Sequence, residues 1–458
     1  MKVIVCGAGQ VGSNIARHLA AENNDVTVID QSPDLVRKIS DMYDVRGMVG
    51  FASHPDMLES AGAADCDMLI AVTFYDEVNM GACQVAHSLF NVPTKIARVR
   101  SQSYLKPGWA NLFSREHMPI DVIISPEIEV ARAVNRALHV PGAIEMLPFA
   151  EDRVRLIGVR IDEDCPIINT PLRQLTELFP DLSLFVTGIV RGDRVIVPSG
   201  DDQILPGDEV YFVADTLHVG RAMPVFGHEE KEARRIIIVG GGNIGLFFAR
   251  QLEHDHASMK VKVIESSRAR AELIADQLTK TVVLHGDALD SEILDEANIR
   301  AAEAVIALTN DDEVNILASL MAKQQGCVKA ITLINNQAYG SLISSLGIDV
   351  VVNPRATTVS SILQHVRRGR IRRVHSLRDG AAEVIEAEAL ETSSLVGSEL
   401  RDIQVPDGII LGAIVRGDDV LMPRGDTVIQ RHDRVIIFAQ RDKVRTVEKM
   451  LSVRLEFF

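Results

Sequence analysis

An α/β chain with two doubly wound parallel sheets, each followed by a small hairpin-rich α+β unit, is what this sequence predicts. Three observations carry that prediction. Gly7-Ala8-Gly9-Gln10-Val11-Gly12 follows the apolar run Val3-Ile4-Val5, and Gly240-Gly241-Gly242-Asn243-Ile244-Gly245 follows Ile236-Ile237-Ile238-Val239. An acid closes a second apolar run about twenty residues beyond each glycine turn. These are Asp30 after Val26-Thr27-Val28-Ile29, and Glu265 after Val261-Lys262-Val263-Ile264. A different, hairpin-like segment is also present twice: Ile189-Val190-Arg191-Gly192-Asp193-Arg194-Val195 and Ile414-Val415-Arg416-Gly417-Asp418-Asp419-Val420.

The glycine turns join a strand to a helix, the Rossmann-like arrangement, and each residue type has a physical reason. Gly7 and Gly240 permit the tight turn, and Gly9 and Gly242 leave room for backbone to approach a pyrophosphate. Gly12 and Gly245 let the helix pack closely on the sheet. The helix starts at Gln10-Val11 and Asn243-Ile244 offer free N–H groups to an anion. Asp30 and Glu265 would accept hydrogen bonds from a ribose diol. A 2′-phosphate about 4 Å away would be repelled by roughly 4 kcal/mol at an effective dielectric near 20, before salt screening. The pattern therefore favours NAD(H) or an adenine nucleotide such as ATP or ADP over NADP(H).

The duplication continues along the chain. Residues 50–58 align with 286–294, and Ala71-Val72-Thr73-Phe74-Tyr75-Asp76-Glu77-Val78-Asn79 with Ala307-Leu308-Thr309-Asn310-Asp311-Asp312-Glu313-Val314-Asn315. Further strands fall at residues 95–100 and 330–335, then at Val122-Ile123-Ile124 and Val350-Val351-Val352. Pro126 or Pro354 and a helix follow the latter pair. Strands alternating with helices describe a parallel sheet covered on both faces. The hairpin unit matches without a gap through Gly200/Gly425, Ile204/Ile429, Asp208/Asp433 and Ala214/Ala439. Its short alternating strands and Gly-Asp turns describe an antiparallel unit, preceded by helical stretches near Leu172 and Leu400. The expected domains are 1–140, 141–228, 232–370 and 371–458.

Composition narrows the function. A chain of 458 residues, 47% of them apolar, is long enough for several folded domains. A net charge of −15 argues against a nucleic-acid partner, which needs a basic face. No apolar run reaches the length of a spanning helix, so a membrane role is expected to be peripheral. Five scattered cysteines without a C-x-x-C pair point to reduced thiols in a cytoplasm. Cys6 is expected to be a small core residue. His254-Asp255-His256 lacks further ligands nearby, so no metal site is expected.

Other candidates surround the turns. Asp76-Glu77 and Asp312-Glu313 follow Thr-terminated strands. They could form a carboxylate pair for acid–base work, but acids offsetting a helix dipole are the preferred reading. Thr73 and Thr309 are candidate ligand-side hydroxyls. Arg98 and Arg100 share a strand face in the first half, where the second has Leu333 and Asn335. They either reach phosphates or salt-bridge the strand end. The basic run 367–373 either meets an anionic surface or ends a solvated helix.

The two glycine turns with Asp30 and Glu265, the Asp-Glu-Val-Asn helix starts and the two Val-Arg-Gly hairpins together resemble one family. It is that of regulatory subunits of Trk-type potassium-uptake systems, built from two tandem RCK (KTN) modules. The resemblance spans essentially the whole chain. It implies a nucleotide-binding RCK N domain followed by a small RCK C domain, twice over. It further implies a peripheral protein on the cytoplasmic face of the inner membrane that binds NAD(H) and adenine nucleotides. Such a protein assembles into a homotetrameric ring and gates an integral-membrane potassium-translocating subunit. The family's adenine contact falls on Asp287-Ala288 in the second half; the first half departs from the pattern with Phe51-Ala52. The rival class is an NAD-dependent dehydrogenase, but no catalytic constellation stands where a substrate domain would supply one. No catalytic residue is expected.

Overall fold

Apolar runs that do not alternate require burial on both faces, and the parallel sheets provide it. The computed structural model describes residues 1–179, 182–192, 194–230, 232–256, 258–336, 339, 346–366, 371–377 and 380–451. The first sheet contains β1 (Lys2–Cys6), β2 (Asp25–Asp30), β3 (Arg46–Val49), β4 (Met68–Ala71), β5 (Thr94–Arg98) and β6 (Val122–Ile124). Its order is β3-β2-β1-β4-β5-β6, all parallel. Val3, Val5, Val28 and Ile70 pack one face against Ile15 and Leu19 of helix Gln10–Ala21. Ile4, Cys6, Leu69 and Ala71 pack the other against Met80 and Cys83 of helix Asp76–Phe90. The winding reverses between β1 and β4, which opens a crevice above their C-terminal ends.

A five-stranded antiparallel sheet follows. It contains β7 (Ala143–Phe149), β8 (Val154–Arg160), β9 (Leu184–Arg191), β10 (Arg194–Ile196) and β11 (Glu209–Asp215), in the order β10-β9-β11-β8-β7. The architecture then repeats. The second parallel sheet has β12 (Arg235–Val239), β13 (Lys260–Glu265), β14 (Val282–His285), β15 (Ala304–Ala307), β16 (Lys329–Leu333) and β17 (Val350–Val352), ordered β14-β13-β12-β15-β16-β17. The second antiparallel sheet has β18 (Ile371–Leu377), β19 (Ala382–Glu388), β20 (Ile409–Arg416), β21 (Asp419–Leu421) and β22 (Arg434–Gln440), ordered β18-β19-β22-β20-β21. The fold is thus two Rossmann-like α/β domains, each with a hairpin-rich companion.

Spatially the chain divides into two compact units. One comprises Met1–Ala131 with Asn353–Val366, the other Arg132–Val352 with the rest. In the first unit, helix Pro354–Val366 lays Val359, Ile362, Leu363 and Val366 into the core around Ile15 and Leu19. Their i, i+3, i+4, i+7 spacing forms one apolar stripe. In the second unit the two antiparallel sheets share a core of Phe149, Leu156, Tyr211 and Val213 with Val384, Ala413 and Phe438. Close approach there requires Gly188, where a Cβ would lie 2.6 Å from the Phe438 ring.

The repeated Arg-Gly hairpins have a mechanical explanation. Gly192 and Gly417 turn with φ +61 and +58, a region costly for residues with a Cβ. The arginine before each glycine forks onto a buried aspartate. Arg191 donates to both Asp208 carboxylate oxygens at 2.8 Å, and Arg416 to those of Asp433 at 2.9 and 2.7 Å. Each aspartate also accepts a loop N–H, from Leu205 at 2.9 Å or Gln430 at 2.8 Å. Planar bidentate pairing of this kind suits Arg and not Lys.

All five cysteines are buried and free. Lys329 is also buried; its ammonium donates to the Ala137 carbonyl at 2.6 Å, in the last turn of helix Pro126–His139. Burial lowers its pKa to about 8, with Asp349 and Glu230 opposing.

Two outcomes follow from these contacts. Asp208→Ala or Asp433→Ala removes a buried acceptor of several hydrogen bonds and is expected to cost about 2–3 kcal/mol, read as a lower thermal midpoint. For Lys329 the folded pKa lies below the unfolded one, so folding disfavours the charged form. That penalty is full below about pH 8 and is lost as pH rises to the ordinary lysine value of 10.5. Denaturant titrations of wild type against Lys329→Met across this range are expected to converge at the alkaline end.

Candidate functional site

The C-terminal ends of β1 and β12 each open into a turn whose conformation only glycine adopts freely. Gly7 has φ +110 and Gly240 φ +100. The third glycine of each turn lies against the first. A Cβ on Gly12 would stand 1.8 Å from the Gly7 carbonyl oxygen, and one on Gly245 2.0 Å from that of Gly240. The middle glycines differ in kind. A Cβ on Gly9 or Gly242 would meet nothing within 4 Å. These two positions face open space, where a ligand backbone could approach.

The helices leaving the turns begin at Gln10 and Asn243, with Val11 and Ile244 next. Neither has a side-chain cap or an acid in its first turn. Elsewhere Ser32 caps helix Pro33–Met42, and Asp312 and Glu313 lie in the first turn of helix Asp312–Gln324. The two turn-bound helices thus bring no capping or acidic side chain of their own to their positive ends, which suits an anion.

Asp30 and Glu265 are fixed beside the turns. Asp30 accepts the Ala8 N–H at 2.7 Å on one oxygen and that of Ser32 at 2.8 Å on the other. Glu265 accepts from Gly241 at 2.7 Å and Ser267 at 2.8 Å. An ionised carboxylate retains further acceptor capacity on each oxygen, so a diol can still bond there. In the second copy Arg270 also donates to the Gly241 carbonyl at 2.8 Å, a brace that sequence reading did not single out.

On the far side of the crevice, Asn79 and Asn315 are the structural keys. Asn79 accepts from the Thr73 N–H at 2.8 Å and its hydroxyl at 2.7 Å, and donates to the Arg98 carbonyl at 2.9 Å. Asn315 does the same to Thr309 at 2.9 and 2.7 Å and to Leu333 at 2.9 Å. Thr73 and Thr309 therefore spend their hydroxyl protons internally and offer a ligand only acceptor lone pairs. Asp76 accepts backbone N–H groups of Arg100 and Ser101 at 3.0 and 2.8 Å, and Asp312 those of Asn335 and Asn336 at 2.9 and 2.8 Å. These acids brace a loop, while the adjacent Glu77 and Glu313 accept the hydroxyls of Tyr104 and Tyr339.

The two copies differ around this common frame. Arg98 donates to the Thr73 carbonyl at 2.7 Å, and burial together with Arg100 lowers its pKa. Arg100 is drawn aside, 3.6 Å from Glu127 and over the Phe74 ring at 5.2 Å. Of the two arginines, then, Arg98 lies against the turn and Arg100 is salt-bridged. In the second copy a cavity of about 520 Å³ opens above β15 and β16, lined by Asn310, Asp311, Asp312, Glu313, Asn335, Asn336 and Tyr339. The Glu313 carboxylate accepts the Tyr339 hydroxyl and raises its pKa. Beyond β14, Asp287 is exposed and accepts the Leu289 N–H at 2.9 Å, while Ala288 is buried.

Other sequence candidates fall elsewhere. His254 bonds Asp255 at 2.7 Å, whereas His256 pairs with His139 at 3.1 Å. Among the described residues no cluster able to hold a metal forms. Of the basic run, 367–370 lie outside the described residues; Arg372 pairs with Glu388 at 2.7 Å and Arg373 donates to the Pro148 carbonyl. No helix among the described residues is long and apolar enough to cross a membrane.

Comparison with known proteins agrees with the duplication. The TrkA-N domain matches residues 3–126 and 236–354, and the TrkA-C domain residues 156–227 and 384–452. The chain is 56% identical to the Trk system potassium uptake protein TrkA of Azorhizobium caulinodans over the full length of both. It is 45% identical to the protein of the same name from Halomonas elongata, again covering all of both chains. Among solved structures, the GsuK channel bound to NAD aligns with a TM-score of 0.59 at 16% identity, over 98% of this chain and 78% of that one. At that identity the likeness is one of fold.

The glycines can be separated experimentally. Gly12→Ala and Gly245→Ala force a methyl onto backbone and are expected to lower stability by at least about 1–3 kcal/mol. Gly9→Ala and Gly242→Ala fill only open space and are expected to leave the calorimetric melting profile unchanged.

Proposed function

The chain belongs to the TrkA family of Trk potassium-uptake proteins, and from that premise we propose that it is a non-enzymatic, nucleotide-responsive regulatory subunit. It binds NAD(H) and ATP or ADP at two cradles: Gly7, Gly9, Gln10, Val11, Gly12 and Asp30 form one. Gly240, Gly242, Asn243, Ile244, Gly245 and Glu265 form the other. Thr73, Arg98 and Arg100 complete the first, and Asp287, Ala288 and Thr309 the second. The observation that carries this reading is that both helices reach their glycine turns uncapped, with open space over Gly9 and Gly242 and a pinned carboxylate alongside. That donor set fits a pyrophosphate joined to a free ribose diol.

The protein acts at the cytoplasmic face of the inner membrane as a homotetrameric ring on an integral-membrane potassium-translocating subunit. Nucleotide occupancy biases the ring between shapes, and the ring passes that bias to the membrane subunit. A ligand can do so only through different affinities for the two shapes. Chemically unequal cradles let one ring compare two ligands. A dehydrogenase would need a base or nucleophile beside the crevice. Asp76 and Asp312 instead brace backbone, and Thr73 and Thr309 are tied to asparagine.

Calorimetric titration tests the assignment. Gly9→Ala or Asp30→Ala is expected to abolish one class of nucleotide binding, and Gly242→Ala or Glu265→Ala the other. NADP(H) is expected to bind more weakly than NAD(H) at both. Unchanged titrations in either pair would remove that cradle from the proposal. Loss of the gene is expected to impair growth at low external potassium, and sustained NADH turnover with added oxidants would overturn the non-enzymatic reading.

A further inference from the structure

Among the described residues four aromatic side chains of the first parallel-sheet domain are at least half exposed: Phe51, Phe74, Tyr75 and Trp109. All but Trp109 stand in the two loops that flank the first glycine turn. Phe51 follows Gly50, whose N–H bonds the Asp30 carbonyl at 2.9 Å, so it stands just beyond the ribose-binding acid. Phe74 follows Thr73, whose backbone N would lie 3.1 Å from a Cβ on Gly7, so it stands against the turn from the other side. Phe51 is 50% exposed and Phe74 68%.

Each ring is held by a neighbour. Phe51 stacks on His54, with centroids 5.0 Å apart and planes 20° from parallel. Phe74 meets Tyr75 edge-on at 5.3 Å and carries the Arg100 guanidinium at 5.2 Å. Exposed rings ordered in this way cost apolar surface to water and gain nothing from the core. The second copy spends no such surface: the positions aligned with Phe51, His54, Phe74 and Tyr75 are Asp287, Asp290, Asn310 and Asp311.

We propose that Phe51 and Phe74 are paired stacking platforms that make the first cradle selective for a dinucleotide. This rests on the nucleotide-binding reading above and sharpens it. In the order β3-β2-β1-β4, the strand ends bearing Phe51 and Phe74 are three spacings apart, about 14 Å at some 4.8 Å per strand. A ligand whose pyrophosphate rests over Gly9, between them, presents one base on the Asp30 side. Only a dinucleotide carries a second ring system across to the Phe74 side. A mononucleotide reaches Phe51 alone. The second cradle has carboxylates and amides in those two places, and its nearby aromatic, Tyr339, is tied through its hydroxyl to Glu313. With no ring at either platform position it is indifferent to the second base.

The test is a set of titrations of the full-length protein in the Gly242→Ala background, with NADH and ADP as probes. Phe74→Ala is expected to weaken NADH about tenfold, the scale of one lost base–aromatic stack, while ADP changes less than about twofold. Phe51→Ala is expected to weaken both ligands about tenfold. Phe74→Tyr is expected to restore NADH binding, and melting profiles of all three are expected to match the parent because the rings are exposed. If the parent binds both probes and Phe74→Ala leaves NADH unchanged, or weakens ADP equally, the platform assignment is overturned while the cradle stands. If the parent binds neither probe, the nucleotide reading itself fails at this cradle.

Discussion

Everything at the strand ends depends on one close approach: a helix glycine lying on the carbonyl of the turn glycine that precedes it. With Gly12 against Gly7, and Gly245 against Gly240, there is no room for a side chain. The helix axis is thereby drawn down to the end of its strand, and its first-turn amides face the crevice instead of solvent at large. Any residue larger than glycine would lift the helix and disperse those donors. The absence of a capping side chain at Gly9 and Gly242 then has a purpose. A cap would engage one of those amides from within and put a side chain where an anion would sit.

Around that constraint the two halves share a frame and differ in lining. Shared parts are those that hold backbone: the pinned acids, the asparagines that tie threonine to the neighbouring strand, and the aspartates that gather loop amides. Differing parts are those that would touch a ligand's ends, aromatic and cationic in one half, acidic and amide-rich in the other. Duplication has preserved the scaffold and let the recognition surface drift.

Much of this was legible in the sequence because it rests on local chemistry. Gly-x-Gly-x-x-Gly between an apolar run and a helix, with an acid ending the next strand, has few physical solutions, and both copies adopt the expected one. The matched Arg191/Asp208 and Arg416/Asp433 were visible as a repeat, but their partnership was not, since it spans a loop. Sequence reading gives Asp76 and Asp312 the task of offsetting a helix dipole, and both do lie in the first turn of their helices. The amides they also hold, beyond the fifth strand of each sheet, lie too far along the chain to read. Arg98 and Arg100 looked equivalent as alternate strand residues. They separate because Arg100 lies past the end of β5 and finds Glu127 and Phe74. The grouping of helix Pro354–Val366 with the first sheet left no local mark. Its apolar stripe announces a buried face and says nothing about which core receives it.

That helix has a consequence for how such a chain came to be. Ile15 and Leu19 are covered by Ile362 and Leu363, residues more than three hundred positions downstream. A polypeptide holding only the first repeat would leave this seam open and would have to borrow the covering segment from a sister molecule. Fusing two repeats replaces that borrowing with a tether, so the donor is always present and always the same.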